Sequence, residues 1–122
     1  MFDLKPEEAR LLLDAAMMAT GGNRFGSAAK ILAALERFRP GNSSVAAANA
    51  VLFISMGDFQ GAADYLDREA LPRNPGAAML KAFKGMALLR MESEAEARVP
   101  LEEAANQSAD PAAAKLAKDM LS

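Results

Sequence analysis

The stretch Met56-Gly57-Asp58-Phe59-Gln60-Gly61-Ala62-Ala63-Asp64-Tyr65-Leu66 decides how the rest of the 122-residue chain is read. Gly57 can take the left-handed conformation in which helices commonly end. Asp58 follows with a carboxylate able to accept from the unpaired N–H groups of the next helix. Phe59 plugs the corner between the two helices, and Ala62 lets them approach closely. Leu66, four residues after Ala62, continues the apolar edge at helical spacing. Moving the frame finds the same order again. Thirty-four residues upstream, Phe25, Ala28 and Leu32 stand in the places of Phe59, Ala62 and Leu66. Thirty-five residues downstream, Ala97 and Leu101 fill the last two places. The upstream turn, Gly21-Gly22-Asn23-Arg24-Phe25, reads as one residue longer, and Glu92-Ser93-Glu94 replaces the Gly-Asp-aromatic turn downstream. Pro40, Pro75 and Pro111 close the three copies.

A 34-residue period with this order of turn, small residue and large apolar residue resembles the tetratricopeptide repeat (TPR). The resemblance implies an all-α, TPR-like solenoid of three helix pairs plus a C-terminal capping helix. The repeats span about 6–40, 43–75 and 77–110, the last helix about 111–121, all within a single domain, 1–122. Composition points to the same fold class on its own. Alanine is very frequent while valine and isoleucine are scarce, which favours helix over strand. The length suits one domain with a real core.

Pro6 fits the first turn of a helix reaching about Thr20, with Glu7 and Glu8 placed well against its dipole. Ile31, Leu32, Leu35 and Phe38 set a second helix over 26–38. Asn42, Ser43 and Ser44 offer caps for a third, 45–56, which is apolar nearly all round and so buried on several sides. A fourth runs from about Gln60 to Ala70, ahead of the breaker Leu71-Pro72-Arg73-Asn74-Pro75-Gly76. A fifth covers 77–91. Ser93 with Glu96 three later reads as a capping box for a sixth, which Pro100 is expected to kink or split. Asp110-Pro111 opens the last helix, whose Leu116 and Met120 would cover the final repeat.

Several functions are disfavoured. Net charge is −2 and pI near 5.2, without the basic face that a nucleic-acid partner requires. No apolar run reaches the ~18 residues of a membrane helix, and no basic segment followed by an apolar core opens the chain, so no membrane insertion is expected and a cytoplasmic location is. The lack of cysteine is compatible with a reducing compartment. Without His or Cys the commonest nucleophile–base pairs and zinc sites are missing, so neither enzyme, metal nor cofactor is expected. Glu7/Glu8 and Glu102/Glu103 are neighbours that point apart on a helix and read as solvated. Gly21-Gly22-Asn23-Arg24-Phe25-Gly26 lacks the Gly-Lys-Ser/Thr ending of a phosphate loop. Lys81 and Lys84, with Arg90 nearby, are able to clamp a carboxylate, but exposed lysines are the simpler reading.

Taking Ala15, Ala50 and Gly85 as equivalent close-packing positions projects a concave groove. It is lined by Leu12, Ala16 and Ala19, then Ala47, Val51 and Ile54, then Met79, Ala82, Met86 and Leu89. This set is apolar and contains two methionines, which suits an amphipathic helix better than a charged peptide terminus. The opening Leu11-Leu12-Leu13-Asp14-Ala15-Ala16-Met17-Met18-Ala19-Thr20-Gly21, Phe25 with Ala28 and Ala29, and the Met56-to-Leu66 stretch resemble the small TPR chaperones of bacterial type III secretion, the YscG-type needle chaperones above all. That resemblance implies a cytoplasmic chaperone that sequesters the amphipathic helix of a secreted needle-type protein in the groove, helped by a small helical co-chaperone or by self-association. Chaperones for translocator proteins of the same machine, and general TPR adaptors, are the alternatives.

Overall fold

Pro6 opens the first helix in a computed structural model that describes residues 3–122. α1 (Pro6–Gly21) is followed by α2 (Phe25–Phe38), α3 (Ser43–Ser55), α4, α5 (Ala78–Arg90), α6 (Glu94–Ala105) and α7 (Pro111–Leu121). α4 consists of a regular part, Phe59–Tyr65, a π-turn, Leu66–Ala70, and a last turn, Leu71–Arg73. The described residues contain no strand, and the fold is all-α. Three helices start on the caps their sequences offer. Asn42 Oδ1 accepts from the N–H of Ser44 at 2.9 Å, Asp58 Oδ1 from Gly61 at 2.9 Å and Asp110 Oδ1 from Ala113 at 3.1 Å. Ser93 does not cap α6 through its side chain. Its own N–H already donates to Leu88 O at 2.9 Å, so Glu96 has no N–H to reach back to and the capping box does not form.

The turns inside the three repeats are the same length. Asn23, Gly57 and Glu92, spaced by 34 and 35 residues, sit at φ +62°, +77° and +61°. In each turn the next residue donates its N–H five residues back: Arg24 to Ala19 O, Asp58 to Phe53 O and Ser93 to Leu88 O. This is the hydrogen-bond pattern of a helix ended by one left-handed residue. The first turn is therefore not one residue longer than the second, as its paired glycines suggested.

The odd-numbered helices form one continuous row, α1–α3–α5–α7, each touching the next. α2, α4 and α6 stand on that row, each between the two odd-numbered helices that flank it in the chain. This is a TPR-like solenoid of three helix pairs closed by α7. Alanine makes the close approach possible: Ala28, Ala62 and Ala97 are fully buried, as are Leu32, Leu66 and Leu101 four residues on.

The spacing changes from 34 to 35 at one place. Leu32 to Leu66 is 34 residues, but buried Leu35 corresponds to buried Ala70, a step of 35. The extra residue lies in the π-turn Leu66–Ala70, which adds a residue to one helical turn and returns the chain to register. The same turn explains why α4 outruns the expected end at Ala70 and passes Pro72. In a regular helix the ring of Pro72 would strike the carbonyl of Arg68; the widened turn before it removes that demand. Pro100 likewise fails to split α6, which runs unbroken through it. Ala97, Leu101 and Ala104 are buried on either side of the proline, and this packing outweighs the roughly 3 kcal/mol that an interior proline costs.

A polar clasp closes each pair. Arg39 donates to Leu4 O at 2.6 Å, Asn74 to Gly41 O at 3.0 Å and Gln107 to Gly76 O at 3.0 Å. Each donor stands just beyond the second helix of its repeat, and each acceptor lies two residues before the first.

Candidate functional site: the apolar face of the helix row

Ala16, Ala50 and Gly85 are the buried close-packing residues of α1, α3 and α5, each sixteen residues before Leu32, Leu66 and Leu101. Stepping one residue on turns the side chain about 100° around the helix, away from the paired helix. That step reaches Met17, 39% exposed, and the half-buried Val51 and Met86. These three hold equivalent places in successive repeats. Ala47 and Ile54 flank Val51 on α3, and Met79 and Leu89 flank Met86 on α5, all half-buried.

The expected lining is thus partly relocated. Ala47 and Met79 line one depression, Val51 and Met86 hold equivalent half-buried places, Ile54 packs against Ala62, Ala63 and Ala87, and Leu89 packs in the same cluster as Ala82. Ala82 does not line this face: it is fully buried in one cluster with Ala113 and Ala117 of α7, the helix that covers the end of the row. In α1 the frame shifts by one. Ala15 is exposed and Ala16 is the packing residue, so Ala16 and Ala19 are core and Leu12 packs against it. The corrected positions are Leu13, Met17 and Thr20. Leu13 also packs on the core, and Thr20 is buried with its hydroxyl donating to Ala16 O at 2.9 Å. Met17 is the accessible residue that the sequence reading missed. The signal was present: Ala50–Ala62 and Gly85–Ala97 are twelve residues apart, and the same step back from Ala28 reaches Ala16.

Charged groups are committed elsewhere. Lys81 and Lys84 are largely buried rather than solvated, and pair with Glu103 and Asp67. Arg90 stacks over the Phe59 ring, 5.7 Å from its centroid. Glu8 Oε1 accepts from the Lys5 N–H, and Glu102 faces Arg98 at 3.6 Å. Among the described residues no three metal-ligating side chains gather. Where α3, α5 and α7 begin, the face runs into a depression of about 390 Å³ lined by Ser44, Ala47, Met79, Gln107 and Asp110. Gln107 Oε1 is buried there and has no hydrogen-bond partner among the described residues. The arrangement is suited to apolar contact with a few polar groups at one end, which is a binding geometry.

Residues 2–122 match the model of a family described as bacterial type III secretion protein (HrpB1_HrpK). The chain belongs to that family. No curated protein and no solved structure matches it. This type III secretion protein has, among its described residues, no helix long and apolar enough to cross a membrane.

Proposed function

We propose that this family member is a non-enzymatic, protein-binding chaperone of its type III secretion system. It holds a polymerisation-prone needle-type subunit in the cytoplasm before export, as the YscG-type chaperones it resembles do. The amphipathic helix of that subunit lies along the Met17–Val51–Met86 face, and no cofactor takes part. One observation carries the reading: the same half-exposed apolar place recurs in three successive repeats of a type III secretion protein. A cargo helix with apolar residues at i, i+3, i+4 and i+7 presents a matching stripe, and methionine adapts to an uneven one. Covering such a stripe contributes about 25 cal/mol per Å², less the large cost of ordering both partners. It also hides the surface through which the subunit would polymerise.

The test is co-expression with the needle-type subunit of the same secretion system, followed by gel filtration. Wild-type protein is expected to co-elute with the subunit. Val51→Glu and Met86→Glu are expected to lose it while keeping the wild-type circular dichroism spectrum and melting curve. Equal binding by both variants sinks the reading. Capture of a membrane-inserting translocator instead, lost in the same variants, moves the assignment to a translocator chaperone on the same face.

A further inference from the structure

The two ends of the helix row differ. At one end α7 buries Ala113 and Ala117 and turns Lys115, Lys118 and Asp119 to solvent. At the other, α1 shows Leu11 at 69% and Met18 at 72% exposure, with exposed Ala15 between them at helical spacing. The repeat identifies what this face is. Leu11 and Met18 correspond to Val45 and Leu52 in the second repeat and to Leu80 and Ala87 in the third. Those four are 5% exposed or less. Val45 and Leu52 belong to the cluster they share with α1 and α2 of the preceding repeat. In α1 the equivalent surface is bare. Phe38, 41% exposed, extends it onto α2, because its equivalent Arg73 also reaches back, to Glu36 of the repeat before.

We infer that a second copy of the chain occupies this face, with the α1–α2 hairpins docked about a two-fold axis. Two observations choose that occupant. Stacking onto the α7 end of another copy would bury Lys115, Lys118 and Asp119, at a desolvation cost that an apolar face cannot return. The charges on the two helices, in contrast, are self-complementary. α1 is net acidic, with Glu7, Glu8 and Asp14 against Arg10; α2 carries exposed Lys30 and Arg37, while its Glu36 is taken by Arg73. Among the described residues Glu7, Asp14, Lys30 and Arg37 form no ion pair. A two-fold axis that lays α1 of each copy beside α2 of the other satisfies both pairings at once. Ala15, midway between the two large side chains, permits close approach at the centre. A face about 24 Å long and two helices wide is on the order of 500 Å² per copy. That places the pair near the ~1,000 Å² lower bound of specific interfaces, so its dissociation constant is expected at about 10 µM.

Sedimentation equilibrium of the full chain from ~1 to ~200 µM tests this, since a ~10 µM constant falls inside that range. The wild type is expected to pass from monomer to dimer and to weaken in high salt. Met18→Glu should remain monomeric throughout, with an unchanged melt at low concentration, and should still bind cargo. Lys30→Glu with Arg37→Glu should weaken the dimer roughly tenfold, and adding Glu7→Lys with Asp14→Lys should restore it. A wild-type monomer at the highest concentration overturns the inference. So does a Met18→Glu dimer of wild-type strength, or a dimer lost in Val51→Glu instead.

Discussion

Replacing Gly85 by alanine sets two general effects against each other. In an exposed helix interior this change stabilises by about 1 kcal/mol, because glycine has more backbone freedom to lose. Here a Cβ on residue 85 would lie 2.4 Å from both Cγ and Cδ2 of Leu101. The Cδ2 methyl can rotate, but Cγ cannot move without Leu101 leaving its rotamer or α6 leaving α5. Leu101 is 1% exposed and packed in the cluster that joins α5, α6 and α7, so there is no space to rotate into. Separation of the two helices loosens that whole cluster and places the overpacking at the upper end of its ~1–3 kcal/mol range. The net expectation is a destabilisation of about 2 kcal/mol, which lowers the melting temperature by roughly 6–10 °C for a chain of this size. Urea unfolding followed by far-UV ellipticity suits a chain without tryptophan; the midpoint should fall with the slope unchanged. Leu101→Ala alone should cost ~2–5 kcal/mol, and the double variant less than the sum, because the new methyl partly fills the hole. A stabilised Gly85→Ala protein would refute the reasoning. It would show that α5 and α6 relax without cost to the spacing at which α3 and α4 hold Ala50 against Leu66.

Two further perturbations probe the turns and the half-buried phenol. Glu92 occupies the left-handed place that Gly57 occupies one repeat earlier, so Glu92→Gly should raise stability by about 0.5 kcal/mol, the strain relieved less the entropy glycine loses; a lowered urea midpoint would contradict this. Tyr65 is held above its ordinary pKa of 10.0, chiefly by burial, against the opposing hydrogen bond from Asn49 and with support from the negative charges of Glu36 and Glu69. The folded state therefore favours the neutral phenol. Its contribution is present below pH ~10 and is lost as pH rises through the folded-state value. Tyr65→Phe should flatten that alkaline loss in a stability–pH series, and an unchanged slope would assign it to other groups.

The pair architecture was legible because it depends on residue size at fixed spacing. Ala62 and Leu66 announce a close helix crossing wherever they recur, and Asn42, Asp58 and Asp110 begin helices through their own chemistry. What was hidden was backbone geometry that side chains do not encode. Glu92 takes the same left-handed turn as Gly57 although nothing about glutamate favours it, and the Gly21-Gly22 pair suggested a longer turn that does not exist. That misreading moved the α1 frame by one residue and cost the site Met17. The π-turn was invisible for another reason. It absorbs one residue within a continuous helix, so a fixed period of 34 falls out of step after Leu66 while the packing stays in step. Pro72 and Pro100 misled in the opposite sense: the π-turn accommodates the first, and burial on both sides overrules the local propensity of the second. Ala82 was placed on the wrong surface because no residue pattern measures how far α7 reaches across the row.

The clasps made by Arg39, Asn74 and Gln107 run within a repeat, from its end to its own beginning. What crosses from one repeat to the next is mostly different in kind: alanine and leucine surfaces, and the ion pairs Arg73–Glu36 and Lys84–Asp67 on long side chains, with the Gly41 N–H to Glu36 bond beside the first. Directional bonds resist displacement, whereas apolar surfaces slide by fractions of an ångström with little change in energy. Stiffness is therefore concentrated inside the modules and compliance between them. The solenoid behaves as a short stack of rigid plates on soft joints, and its curvature is the coordinate that the proposed cargo would adjust.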